Sequence, residues 1–366
     1  MIKIIQFSDI HFDRPFALTT PEAFSSRYAE LKSSFASLML YINSHDIDIA
    51  LIPGDLFDVQ TLSSDTLSFV KREIASCPKC KFFISPGDAD SYSANSPYTG
   101  TWPQNVHIFK EEKLEQVHLD ELNCDIYGAA VTKNTSSENP MEGVEPFTIN
   151  RTNILVIHGE TESTRDGVYR LPPDVLRDSG FDYIALGHHH EATNPATMTN
   201  YAYSGTLTGH GFNECGNKGA LQILIDNGKV SVKDVKFSAH SYIKLSVDIS
   251  GVEHYGSADE AIARMIDNKI AQMLGKRTKI ESISVMITLV GHIDEKVRFN
   301  PETVQKLIEN ATDPIVTDES VVIPQSPLLS GVRAGILEEA RERGCPELAE
   351  RAMKLVVAHL VPEERK

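Results

Sequence analysis

No apolar run in these 366 residues approaches the roughly 20 needed to span a bilayer, so a membrane-embedded protein is not expected. The first residues, MIKIIQFSD, lack a basic-then-apolar leader and read as a strand. Export is therefore not expected, and a cytoplasmic location is. Cysteine is scarce: there are five, an odd number in a chain this long, which fits a reducing compartment better than a disulfide scaffold. Cys77 and Cys80 form one C-x-x-C, but no second pair completes a zinc site, and the motif reads as incidental. Positive charge is short as well. Lys and Arg number 35 against 51 Asp and Glu, a formal charge of −16. The deficit sits mostly in residues 1–239, with 19 basic and 31 acidic side chains; residues 240–298 carry 8 of each, and residues 299–366 carry 8 and 12. No basic stripe appears, and the best local cluster, Lys276, Arg277 and Lys279, reads as a solvated turn. DNA affinity comes largely from Lys and Arg against phosphate, so tight autonomous binding of nucleic acid is disfavoured. A basic partner chain could supply what is lacking.

What is present is an ordinary globular composition, long enough for one large domain and a smaller one. Strand-like runs occur at 2–7, 49–52, 82–85, 125–131, 153–159, 183–187, 220–226 and 230–237. Between the first two, residues 22–43 place Phe24, Tyr28, Leu31, Phe35, Leu38 and Ile42 on one helical face. Early βα alternation followed by consecutive strands suits an α/β fold, a two-sheet β-sandwich flanked by helices. In such a fold the residues that end strands gather along one edge. This main domain is expected over 1–239. Residues 240–298 read as a small α+β cap domain of β-α-β order: Ile243, Leu245, Val247 and Ile249 alternate, Ser257 with Glu260 starts a helix, and ISVMITLV returns as a strand. The tail, 299–366, reads as helical, with two amphipathic stretches separated by a Pro-containing segment at 314–327. Apolar stripes at helical spacing follow, Leu328, Leu329, Val332, Ile336 and Leu337, then Leu348, Ala352, Leu355, Val356 and Leu360. Such stripes serve as intramolecular core or as a partner-docking segment.

Five of the strand-like runs end in side chains that bind metals. FSDIHFD gives Asp9 and His11, IPGDLFD gives Asp55, SPGDAD gives Asp88, LVIHGE gives His158, and ALGHHHE gives His188 and His190. Carboxylates mixed with imidazoles suit Mn²⁺, Fe²⁺ or Zn²⁺, whereas Ca²⁺ prefers oxygen alone. Seven donors are too many for one ion with an open position. They suffice for two ions sharing one carboxylate roughly 3.5–4 Å apart, a geometry that clamps a phosphoryl group and activates water. A lone Asp after a strand is usually a turn residue, and a buried His is usually hydrogen-bonded core. Nothing structural, however, demands all five motifs in one chain. His189 is expected to face away from its neighbours. Gly54, Gly87 and Gly187 are expected to let the backbone turn sharply, and Asp58 and Asp90 to brace loops.

In this order the motifs resemble the calcineurin-like metallophosphoesterases, and within them the DNA-repair exonuclease group that includes the SbcD nucleases. HFDRPF (11–16), SPY (96–98), WPQNVHIF (102–109), FDYIALGHHH (181–190) and GHGFNECGNKG (209–219) resemble its YhaO-type branch. The likeness covers residues 1–238 well, the cap region loosely and the tail hardly at all. It implies that Asp9, His11 and His190 bind one metal, that Asp88, His158 and His188 bind a second, and that Asp55 bridges. It implies two divalent ions, Mn²⁺ foremost with Fe²⁺, Zn²⁺ or Mg²⁺ as alternatives, and hydrolysis of DNA phosphodiesters by two-metal water activation. It further implies an SbcC-like ATPase partner and a homodimer. One position departs from the pattern: the family carries Asn-His where this chain has Asp88 and Ala89. Losing a general acid costs on the order of 10²–10⁴ in rate. His210, which follows a strand end and is a candidate to stand in for the missing histidine near the donor edge, is expected instead to lie on an exposed loop. Three readings stay open: a metal-dependent exonuclease, a small-molecule phosphodiesterase or phosphatase, and a metal-binding pseudo-nuclease that docks an SMC-like ATPase.

Overall fold

The computed structural model describes residues 1–323 except 17–20, 133–134, 136–138, 143–149, 163–167, 217, 239, 251, 253–256, 275–281, 295 and 312. Beyond 323 it describes 335–336, 338–339 and 352. Two units divide the chain, Met1–Ser241 and Tyr242–Lys366.

The first unit begins with β1 (Ile2–Gln6), α1 (Pro21–Ser44), β2 (Ile49–Ile52), α2 (Ser64–Ala75), β3 (Lys81–Ile84), β4 (Val106–Ile108) and β5 (Glu115–Leu119). It continues through β6 (Cys124–Gly128), β7 (Thr152–Glu160), β8 (Tyr169–Arg170), α3 (Pro173–Asp178), β9 (Tyr183–Gly187), β10 (Tyr201–Tyr203), β11 (Gly219–Asp226) and β12 (Lys229–Lys236). One sheet runs β12-β11-β1-β2-β3-β4 and the other β10-β9-β7-β6-β5, with β8 beside β7. β1, β2, β3 and β4 are mutually parallel, as are β6, β7, β9 and β10.

Side-chain alternation explains the layering. Ile4 and Ile5 point to opposite faces of β1, yet both are fully buried, so this strand is covered on both sides. Ile5, Ala50, Ile52, Phe82 and Ile84 pack under Leu31, Phe35, Leu38 and Ile42 of α1 and Val70 and Ile74 of α2. Ile4, Ile49, Leu51 and Phe83 meet Ile126, Ile154, Val156, Tyr183 and Ala185 between the sheets. Tyr127, Leu155, Ile157, Ile184 and Leu186, on the outer face of the second sheet, pack with Leu176 and Phe181. Each large apolar side chain so buried contributes about 1.5–3 kcal/mol. The first unit is thus the two-sheet sandwich flanked by helices that the alternation implies. A polar clamp crosses its interior: the buried Gln6 donates through Nε2 to the carbonyls of Leu186 (3.0 Å) and Ala202 (2.9 Å) and accepts from the Tyr183 hydroxyl.

The second unit comprises β13 (His240–Asp248), α4 (Ala258–Leu274), β14 (Ser282–Val290), β15 (His292–Asp294), α5 (Pro301–Leu307), β16 (Asp313–Asp318) and β17 (Val321–Ile323). Ser257 Oγ accepts the Glu260 N–H at 3.3 Å, starting α4, whose Ile262, Ile266 and Ile270 bury against Val247, Val285 and Ile287. Its main sheet runs β13-β14-β16, so the Pro-containing segment supplies a third strand, parallel to β14. The Lys276, Arg277 and Lys279 cluster lies outside the described residues, as do the tail's apolar stripes apart from Ile336 and Ala352. Among the described residues no helix is long and apolar enough to cross a membrane.

Candidate metal centre

Parallel strands deliver their C-terminal ends to one edge, and the seven side chains arrive there. β1 leads to Asp9 and His11, β2 to Asp55, β3 to Asp88, and β9 to His188 and His190, while His158 lies within β7. The backbone must leave its ordinary range to aim them. Asp9 (φ 51°), His11 (49°), Asp55 (53°) and His188 (112°) all have positive φ, at about 1–2 kcal/mol for each residue in the left-handed region. Cross-strand hydrogen bonds hold these turns: Asp9 N–H to Gly54 O (3.1 Å), His11 N–H to Asp55 O (3.0 Å) and His188 N–H to Asp9 Oδ1 (3.1 Å). Asp90 braces the next loop, as expected. Its buried carboxylate accepts the N–H groups of Leu56 (2.8 Å), Gly87 (2.8 Å), Asp55 (3.2 Å) and Phe57 (3.2 Å), and the Tyr98 hydroxyl. Asp58 caps only its own exposed turn through Gln60 N–H. Of the three glycines, Gly54 alone has positive φ (90°). Gly87 and Gly187 are required by space instead: a Cβ on Gly187 would lie 1.8 Å from Pro53 O.

The donors form two groups with one shared member. Asp9, His11 and His190 make one group and Asp88, His158 and His188 the other, with donor atoms within 4.8 Å of one another in each. In the first, His11 Nε2 is 3.1 Å from His190 Nε2, and His190 Nε2 is 4.0 Å from Asp9 Oδ1. In the second, Asp88 Oδ1 is 2.8 Å from His158 Nε2 and 3.3 Å from His188 Nδ1. Asp55 Oδ2 stands between them, 3.5 Å from His11 Nε2 and 3.8 Å from His158 Nε2. Its other oxygen, Oδ1, accepts the Ala89 N–H at 2.9 Å. Position 89 therefore orients the carboxylate through its backbone while its methyl side chain offers the site no polar atom.

These residues fit a pair of divalent cations. Burial, then the carboxylates of Asp90, Asp88 and Asp9, push the Asp55 pKa well above its ordinary value, a repulsion that cations would relieve. Burial alone would lower His158, but Asp55, Asp88 and Asp9 raise it to about 10. Burial and the neighbouring His190 and His210 hold His11 down at about 2, leaving it a neutral donor. Two of the remaining ring nitrogens are hydrogen-bonded so as to aim the donors, whereas His11 Nδ1 is buried without a partner. His158 Nδ1 bonds Pro53 O at 2.9 Å and His190 Nδ1 bonds Glu214 at 2.6 Å, so Nε2 faces the cluster in both. His188 is held the opposite way round, with Nε2 3.5 Å from Glu160 and Nδ1 on Asp88.

Three residues enter the site that the motifs did not point to as participants. Glu160 and Glu214 are acceptors that fix histidines, and each ends a motif string, HGE and GFNE, where a carboxylate near His pairs was the available signal. His189 bonds Glu160 at 2.9 Å and packs on Tyr203, apart from both donor groups. His210 corrects an expectation. It is not an exposed loop residue but is 4 % exposed, with its ring 6.3 Å from that of His11, because Phe16 stacks on it at 4.7 Å and Glu214 Oε2 takes its N–H at 2.7 Å.

A two-sheet sandwich with a seven-donor edge, centred on one shared carboxylate, is the architecture of a dinuclear phosphoesterase. The calcineurin-like phosphoesterase family model matches residues 2–192, just over half the chain and all seven donors, and the chain belongs to that family. Among curated proteins none matches the sequence. Among solved structures, a purple acid phosphatase from yellow lupin (Lupinus luteus) seeds is similar at a TM-score of 0.39 and 13% identity, over 64% of this chain and 51% of the phosphatase. The chain thus spans about half the length of that protein.

Proposed function

We propose that this chain is a two-metal phosphodiesterase of the DNA-repair exonuclease type, acting in the cytoplasm on DNA with Mn²⁺. The observation that carries the reading is Asp55 Oδ2, set within 4 Å of a histidine from each donor group. Two bound divalent ions would polarise the phosphate and lower the pKa of an attacking water. The chain's own part is to hold and aim: Asp9, His11 and His190 on one side, Asp88, His158 and His188 on the other, with Asp55 shared. The choice of DNA is supported by the segments resembling YhaO-type nucleases, HFDRPF and GHGFNECGNKG among them. An SbcC-like ATPase, and a second copy of the chain, are the partners this reading carries, and a basic partner surface would offset the formal charge of −16.

The test is cleavage of single-stranded and nicked duplex DNA with Mn²⁺, repeated with Asp55→Ala. Activity that survives the substitution would belong to a contaminant and would remove the proposal. The acidic charge favours a second reading, a small-molecule phosphodiesterase. Cleavage of bis(p-nitrophenyl) phosphate with DNA left intact would decide for it. Ala89 favours a third, a binding protein that does not turn over. Ala89→His combined with Asp88→Asn should raise DNA cleavage on the order of 10²-fold or more if a missing acid limits the rate, and an unchanged rate would show that it does not.

A further inference from the structure

Among the described histidines of the centre, His210 is the one whose two ring nitrogens both lack a hydrogen-bond partner, although the residue is 4 % exposed. A buried polar group without a partner is costly and uncommon. The nearest carboxylate oxygen, Glu214 Oε2, is 3.6 Å from Nδ1, beyond hydrogen-bond length, and already receives the His210 backbone N–H. The ring is nevertheless fixed. Phe16 stacks against its face at 15° between planes, and it stands at 90° to the ring of His11. Glu214 ties it to the donors as well, because the same carboxylate holds His190 through Oε1. The side chain is thus held rigidly beside the first donor group with its hydrogen-bonding capacity unspent, in a chain whose position 89 offers no side-chain donor.

We infer that His210 contacts the substrate, donating a ring N–H to an oxygen of a phosphate ester seated over Asp9, His11 and His190, and so supplies a side-chain donor that position 89 lacks. A neutral imidazole suffices, since it always carries one N–H. The inference rests on the phosphodiesterase reading above, and its test separates the two.

The full chain loaded with Mn²⁺ is compared with His210→Phe, which keeps the stack on Phe16 and removes both nitrogens, and with His210→Gln, which keeps a donor. Three quantities are read: Mn²⁺ stoichiometry, calorimetric affinity for inorganic phosphate, and kcat and KM for bis(p-nitrophenyl) phosphate. His210→Phe should leave Mn²⁺ uptake unchanged while phosphate affinity and kcat/KM fall on the order of 10–100-fold, with Gln recovering part of the loss. Changes below about twofold in both would overturn the inference. So would a parallel loss of Mn²⁺, which would make His210 a support of the metal centre. Should the wild-type chain bind phosphate and hydrolyse nothing, the phosphodiesterase reading fails while the phosphate arm still decides the role of His210. A wild-type chain that neither binds phosphate nor hydrolyses the ester overturns both.

Discussion

The carboxylate of Asp90 touches neither donor group, yet it holds the loops that carry Asp55 and Asp88 through four backbone N–H groups. Asp90→Ala leaves these donors buried and unpaired, a loss on the order of 3 kcal/mol or more. Urea unfolding should show it, and Mn²⁺ affinity should fall with it. Unchanged unfolding would mean that water replaces the carboxylate. Asp13 makes a second, titratable brace, accepting the N–H of Ser63, the Thr66 hydroxyl and the Tyr28 hydroxyl. Burial raises its pKa, but these hydrogen bonds outweigh burial and set it below the ordinary value. A depressed folded-state pKa stabilises fully above the unfolded value of about 3.9, and the contribution disappears as pH falls through the folded value. Melting curves of wild type and Asp13→Asn should therefore differ at pH 6, with the gap narrowing as pH falls below about 4. A gap that persists in acid would refute the linkage.

At the scale of elements, legibility followed repetition. The strands β1, β7, β9 and β11, five to nine residues each, and the 24-residue α1 declare themselves through runs of apolar positions. Helix α2 went unread because it buries only Thr66, Val70 and Ile74, a one-residue-wide stripe, although Ser63 caps it at Thr66 N–H. The three-residue strands β4 and β10 are too short to show a period. Among the site residues, the seven donors were legible because each lies at or just beyond the end of an apolar strand-like run in the sequence. The place of His210 was not, since it depends on Phe16, nearly two hundred residues earlier in the chain, and on a loop anchored by Glu214. The glycines were legible as constraints but not as the right kind, since Gly187 answers to Pro53 rather than to a turn. Gly187→Ala should cost about 1–3 kcal/mol through overpacking and displace the HHH loop. The change is measurable as a lowered Tm together with weakened Mn²⁺ binding, and a Tm equal to wild type would show that β2 and β9 can part without penalty.

For the whole molecule, the centre gathers four donors from one sheet and three from the other. Ions bound there act on the folded state alone, so at a concentration about 100 times the dissociation constant they should add roughly 2.7 kcal/mol. Chelation with EDTA should lower the Tm, and Mn²⁺ should restore it in wild type but much less in Asp55→Ala. A Tm indifferent to chelator would argue against a resident metal pair. The formal charge of −16 gives DNA cleavage a further signature. Without a basic partner, DNA affinity should be weak and should depend only shallowly on salt, because few counterions are released. A steep dependence would point to a basic surface among residues outside the described ones.

Gln6 ties carbonyls within β9 and β10 back to β1. Each donor group draws on both halves of the sandwich, so neither half holds a complete group by itself. Full metal uptake should then wait until the polypeptide has passed residue 190 and the late strands have docked on the early ones. Conversely, escape of the ions should be the earliest chemical sign that the two layers have begun to separate.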